Sequence, residues 1–196
     1  MHNEILARFE AARKIMLSDT AIDITAIDKF IKKLLKVILE GNKIIFLGNG
    51  GSAAEATHLA AEFTGKCVVD HRPVSALSLN ESVSAITAIA NDYGFEHIFS
   101  RQVQAHVRKG DILVALSTSG SSRNILNAIA ESTALGASVY LWTGNIKEDI
   151  PGIEIWRVPS NSTPRIQELH LLWGHIIAEV FEIKLNECLS INNNGK

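Results

Sequence analysis

The chain has 196 residues, of which 46% are hydrophobic and 20% charged, and 19 basic against 21 acidic side chains leave a formal charge of −2. This balance excludes a disordered chain and gives no global field toward nucleic acid or an anionic membrane. Two cysteines, Cys67 and Cys188, make neither a disulfide framework nor a metal knuckle, and no apolar run reaches the roughly 18 residues of a membrane span.

The length predicts one domain over 1–196. The N-terminus, Met1-His2-Asn3-Glu4, lacks the apolar core of a signal peptide. Ile5, Phe9, Ala12 and Met16 recur near helical spacing and predict a first helix, with a break at Ser18-Asp19-Thr20. A second helix is predicted from Ile24 to Glu40, with Ile27, Phe30, Ile31, Leu34, Leu35 and Ile38 on its apolar stripe and Gly41 as its stop. Lys29, Lys32, Lys33 and Lys36 occupy the other side and read as a solvated face, not a nucleic-acid patch, since no aromatics interleave them.

From residue 41 strands and helices alternate. Strands are predicted at Lys43–Leu47, Val74–Leu79, Asp111–Leu116, Ser138–Trp142 and Ile153–Val158. Helices are predicted at Ala53–Thr64, Ser82–Ala90, Phe95–Val107 and Asn124–Leu135, with a turn at Asn91-Asp92-Tyr93-Gly94. Pro164 opens a long last helix, Arg165 to about Leu189, and the tail Asn192–Lys196 reads as frayed. The pattern predicts an α/β fold: a three-layer αβα sandwich around a mostly parallel five-stranded sheet, with an N-terminal helical pair and a long C-terminal helix. Residues 1–40 read as a helical oligomerisation segment and 41–190 as the α/β core. Ligands of such sheets bind beyond the carboxyl ends of the strands.

Two loops fall there. Gly48-Asn49-Gly50-Gly51-Ser52-Ala53 matches G-x-G-x-x-[G/A], and Asp70 lies 20 residues past Gly50, so three readings stand: a tight turn, a dinucleotide site, or another small-ligand site. Ser52 is placed to cap the helix that follows. Ser117-Thr118-Ser119-Gly120-Ser121-Ser122 brings five hydroxyls to a helix N-terminus, a phosphate-binding arrangement without a lysine and so not that of an NTP hydrolase. A capping cluster is the alternative.

His58 and Glu62 stand four apart and share one helical face. Gln167, His170 and His175 interrupt an apolar stretch of the last helix, where a histidine is either core or ligand. Gln167 and His175 are separated by about 12 Å of rise and about 80° of rotation on a straight helix, so a site using both suggests a subunit interface.

In their order, Gly48-Asn49-Gly50-Gly51-Ser52, His58-Leu59-Ala60-Ala61-Glu62, Asn91-Asp92, Ser117-Thr118-Ser119-Gly120 and Arg165-Ile166-Gln167-Glu168 resemble the sugar isomerase (SIS) domain, specifically the phosphoheptose isomerases, over residues 20 to 185. The resemblance implies a flavodoxin-like SIS fold and a cytoplasmic homotetramer with interface active sites. It implies conversion of D-sedoheptulose 7-phosphate to D-glycero-D-manno-heptose 7-phosphate, the entry to activated heptose for lipopolysaccharide or capsule. Substrate would be held by Asn49, Gly50, Gly51, Ser52, Asn91, Asp92, Ser117, Thr118, Ser119 and Ser122, together with Glu62 and Gln167. One Zn²⁺ per subunit would be held by His58, Glu62, Gln167 and His175. Lys66 stands where a relative carries arginine, keeping the charge, and Pro164 where it carries aspartate, removing a polar contact.

An enediol pathway needs a carbon base, here Glu62, an acid/base partner opposite, here His175, and a stabiliser of the developing oxyanion. Two rival readings remain: a non-catalytic SIS protein that binds the replication initiator, and an isomerase of another sugar phosphate. The non-catalytic group lacks a carboxylate and a histidine at the Glu62 and His175 positions, and both are present here.

Overall fold

The computed structural model describes residues 1–18 and 23–193. Two helices lead, α1 (His2–Met16) and α2 (Ile24–Leu39). The core then runs β1 (Ile44–Gly48), α3 (Gly51–Thr64), β2 (Ala76–Ser78), α4 (Val83–Tyr93), a 3-10 turn (Phe95–His97) and α5 (Ser100–His106). It closes with β3 (Ile112–Ser117), α6 (Arg123–Ala134), β4 (Ser138–Thr143), β5 (Glu154–Arg157) and α7 (Thr163–Asn193). The five strands pair in the order β2-β1-β3-β4-β5, and every pairing is parallel.

The central strands β1, β3 and β4 are largely apolar because both of their faces are covered, while the edge strand β5 keeps Glu154 and Arg157. Residues of β3 alternate sides: Ile112, Val114 and Leu116 pack with α2, α3 and α7, while Leu113 and Ala115 pack with α5 and α6. This gives the expected three layers. Asp23 caps α2 by accepting the Ala26 amide at 3.0 Å, and Gly41 ends it at φ 85°, where a side chain would be strained.

Several expected boundaries move. Val74–Leu79 shortens to the edge strand β2. The turn expected at Asn91-Asp92-Tyr93-Gly94 is reduced to Gly94 (φ 96°), so Asn91 and Asp92 sit in the last turn of α4. The single helix expected over Phe95–Val107 divides into a 3-10 turn and α5. Of the expected break after α1, Asp19 and Thr20 lie outside the described residues. Helix α7 outruns its expected end: Asn192 and Asn193 continue it, and Asn194–Lys196 lie outside the described residues. The stripe of α1 forms a helix as expected but holds no fully buried residue, and Phe9 stays 71% exposed.

One contact sets the spacing between α3 and α7. Gly174 faces Leu59 so closely that a Cβ there would overlap the Leu59 methyls. Leu59 is buried, with no room to withdraw. Gly174→Ala is therefore expected to cost about 1–3 kcal/mol. Thermal unfolding of the variant against the native chain checks this.

Candidate active site

Helix α3 begins where β1 delivers the glycine loop. Gly50 adopts φ 57°, ψ −122°, a backbone state that favours glycine. Ser52 is not the cap; Gly50 takes that place without a side-chain bond, and Ser52 lies buried inside the first turn. Asn80 clamps the end of β1 from one side: its Oδ1 accepts the Gly48 amide at 3.0 Å and its Nδ2 donates to the Gly48 carbonyl at 2.9 Å. Asn124 clamps the loop from the other side. Its amide and that of Asn49 exchange two hydrogen bonds of 2.9 and 2.8 Å. The Asn49 side chain is thereby committed to structure.

The hydroxyl loop closes over the start of α6. Ser117 Oγ accepts the Gly120 amide at 3.2 Å, and Ser119 Oγ accepts the Ser121 amide at 3.3 Å. Ser122 is the N-cap of α6 but makes no side-chain cap bond; Asn124 Oδ1 takes the Ile125 amide at 3.0 Å, and the amides of Arg123 and Asn124 face the loop as the ones an anion can use. Asn49, Gly50, Gly51, Ser52, Ser117, Thr118, Ser119, Ser122, Thr163 and Gln167 line one cleft of about 280 Å³ with Leu116. The two expected loops and Gln167 thus share a single space. Asp70 does not extend it toward a dinucleotide site: it lies in a loop, its carbonyl accepting Asn186 Nδ2 at 2.9 Å.

Gln167 enters the cleft from α7. Its Nε2 donates to Ser52 Oγ at 3.4 Å and occupies the space that a Cβ on Gly51 would fill. Glu55, three residues beyond Ser52 on α3, has its Oε2 buried without a partner. Burial pushes the Glu55 carboxyl up to about 7.

Two turns further along, a second cluster forms. His58 Nε2 and His175 Nε2 approach to 2.8 Å, and Glu62 Oε1 lies 3.1 Å from His58 Nε2. One ligand atom from each of the three residues falls within 4.8 Å of the others. Two imidazole nitrogens and a carboxylate oxygen facing one another are a donor set suited to a divalent cation such as zinc. Gln167, on the same helix as His175, meets the glycine loop through its bond to Ser52. Glu62 also bonds the Cys67 thiol, which burial first and this carboxylate second push up to about 11, so it stays protonated.

Asn91 and Asp92 are exposed, bonded to each other at 2.8 Å, and absent from the cleft lining. His170 is a core histidine: it is 0% exposed, packs on Trp142 and Trp173, and burial lowers it to about 4, so it is neutral.

Sequence reasoning passes over Glu182. It is 1% exposed on α7, and its carboxylate accepts the backbone amides of Cys67, Val68 (3.0 Å) and Val69 (2.8 Å). His71 lies 3.3 Å away. Burial alone would raise this carboxyl; the three amides and His71 outweigh it and hold the group below its ordinary value. The available signal was a charge on the buried stripe of α7, one residue after Phe181 and three before Leu185.

Comparison with known proteins gives the family. The sequence profile of the SIS domain family matches residues 9–144. The phosphoheptose isomerase of Rhodospirillum rubrum is 48% identical over 145 residues, covering 72% of this chain and 77% of that one. That of Aliarcobacter butzleri is 42% identical over 163 residues, covering 82% and 86%. The structure of phosphoheptose isomerase from Neisseria gonorrhoeae superposes with a TM-score of 0.84 at 34% identity, over 92% of this chain and 97% of that one. The chain belongs to the SIS-domain family and, within it, to the phosphoheptose isomerases.

Proposed function

We propose that this enzyme converts D-sedoheptulose 7-phosphate to D-glycero-D-manno-heptose 7-phosphate through an enediol. The observation that carries this reading is the convergence of His58, Glu62 and His175 beside a hydroxyl-lined cleft. The phosphate would lie against Ser117, Thr118, Ser119 and Ser122, with the free amides at the start of α6. Backbone of Asn49, Gly50 and Gly51, with Ser52 and Gln167, would line the sugar. Asn91 and Asp92, outside the cleft of one chain, would reach substrate only across a subunit interface.

Moving a proton between C1 and C2 requires a base close to carbon. Glu62 takes that proton, being the carboxylate of the cluster. His175 exchanges the second proton between the two oxygens. His58, Glu62, His175 and Gln167 would hold Zn²⁺. When bound, the ion supplies Lewis-acid stabilisation of the developing oxyanion. Gln167 lies about 12 Å of helical rise from His175, so a neighbouring subunit of a homotetramer would complete the set. The uncovered stripe of α1, within the 1–40 segment, suits that assembly. The reading places the enzyme in the cytoplasm, where its product feeds activated heptose for lipopolysaccharide or capsule. The replication-initiator reading draws no support from the cluster, since a binding module needs neither the carboxylate nor the imidazole pair.

The test is an NMR time course of the purified protein with sedoheptulose 7-phosphate. Heptose phosphate should accumulate, cease on chelation and resume with zinc. A folded, zinc-replete protein that leaves this ketose unchanged would overturn the proposal.

A further inference from the structure

We infer that Asn124 is a positioning residue: its amide pair with Asn49 ties the glycine loop to the start of α6 and so sets the spacing of the phosphate cleft. The inference rests on the isomerase reading of that cleft. Strands β1 and β3 stay in register only as far as Gly48 and Leu116. Beyond them each continues into its own loop, and both loops line one cleft. Among the described residues, the Asn49–Asn124 pair makes the only side-chain hydrogen bonds between segments 49–52 and 117–124. The orientation of both amides is fixed. Asn124 Oδ1 accepts the Ile125 amide at 3.0 Å, so this oxygen is held to its own helix. The same oxygen accepts Asn49 Nδ2 at 2.9 Å, and Asn124 Nδ2 donates to Asn49 Oδ1 at 2.8 Å. Turning either amide over would set oxygen against oxygen and nitrogen against nitrogen. Asn124 is 2% exposed, so water does not replace a bond that is lost.

The consequence lies in the neighbouring backbone. Gly50 and Gly51 follow Asn49 into α3, and Arg123 and Asn124 open α6. Both helix starts offer backbone N–H groups to the cleft. A phosphate held between them needs its donors at bonding distance from both sides, and a shift of about 1 Å costs up to about 10²-fold. Asn80 fixes Gly48 from one side, and Asn124 fixes Asn49 from the other. The Asn49 side chain thus serves substrate through the backbone that it orients.

The native chain, Asn49→Ala, Asn124→Ala and the double variant test this. Asn49→Ala cuts the tie but leaves the Asn124 bond to Ile125 in place. Both single variants should bind inorganic phosphate about tenfold more weakly by calorimetry and raise KM about tenfold, with kcat within about threefold of native. The double variant should be no worse than Asn124→Ala alone, because both changes cut one pair. In ¹H–¹⁵N spectra without ligand, the Gly50 and Gly51 amides should shift and broaden in Asn124→Ala. Asn49 is only half-buried, so Asn49→Ala carries the test if Asn124→Ala does not fold, with the Arg123 and Asn124 amides as its reporters. Native phosphate affinity in both single variants, at a lowered melting temperature, would make the pair merely structural and overturn the inference. Losses that multiply in the double variant would overturn it too, by making Asn49 an independent ligand contact. A native chain that takes up no phosphate would remove the isomerase reading and the function of the tie with it. Sharp, unshifted Gly50 and Gly51 amides in Asn124→Ala would remove the tie alone.

Discussion

Replacing Glu62 with glutamine should lower kcat by about 10³-fold or more while leaving the chain folded, the scale expected for losing a positioned base. The amide keeps the shape and the ability to bond the Cys67 thiol, so packing is preserved. It cannot accept a proton from carbon. Measurement of the C1 and C2 protons in D₂O separates the two roles that this carboxylate has been given. If Glu62 is the base, wash-out of substrate hydrogen stops while the variant still binds added zinc as the native chain does. If it serves only as a ligand, zinc content falls and excess zinc restores turnover. Turnover within tenfold of native would remove Glu62 from both roles. His175→Gln provides the matching control on the other proton, and its loss should track transfer between the oxygens.

Glu182→Ala should be strongly destabilising, at about 3–5 kcal/mol, because it leaves three backbone amides and the buried His71 without their acceptor. The segment 66–72 should detach, which amide hydrogen exchange at Cys67, Val68 and Val69 reports directly. The pH dependence has a definite sign. The folded group lies below its ordinary value of 4.5, so its contribution is fully present above that value and fades as pH falls through the folded pKa. Glu182→Gln removes the titration but keeps one acceptor. The stability gap between native and Glu182→Gln should therefore be largest near neutrality and shrink below pH 4.5, as followed by urea unfolding. A gap constant across that range would deny the carboxylate its role as the latch.

Much of this architecture is legible in the residues because local and global signals agree. The run Ile112-Leu113-Val114-Ala115-Leu116 needs cover on both faces, and a parallel sheet provides it. The two polar loops are legible because glycine and serine have few other uses after a buried strand. Gly94 was read as part of a four-residue turn, but one positive-φ residue suffices, and helical bonding continues through Asn91 and Asp92. The end of α7 was read too early because asparagine is a poor helix former, yet two more asparagines still extend the helix. Ser52 was read as a cap from its position before a helix; it lies buried within the first turn, where its hydroxyl meets Gln167 of α7 instead. The amide clamps of Asn80 and Asn124 are invisible to spacing, since each joins residues 32 or 75 positions apart. Glu182 belongs to the same class: its partners lie more than a hundred residues upstream, at Cys67, Val68 and Val69.

Helix α7 carries Gln167 at the glycine loop, His175 at the His58–Glu62 cluster and Glu182 at the loop beyond α3. These three engage successive levels of one neighbouring helix and the segment that follows it. An added or deleted residue between them would turn everything downstream by about 100° and slide it by about 1.5 Å. Side chains in that interval can be exchanged one at a time, but its residue count cannot change. Gene variants in this stretch should therefore divide sharply, substitutions being graded in effect and single-codon insertions or deletions being uniformly null.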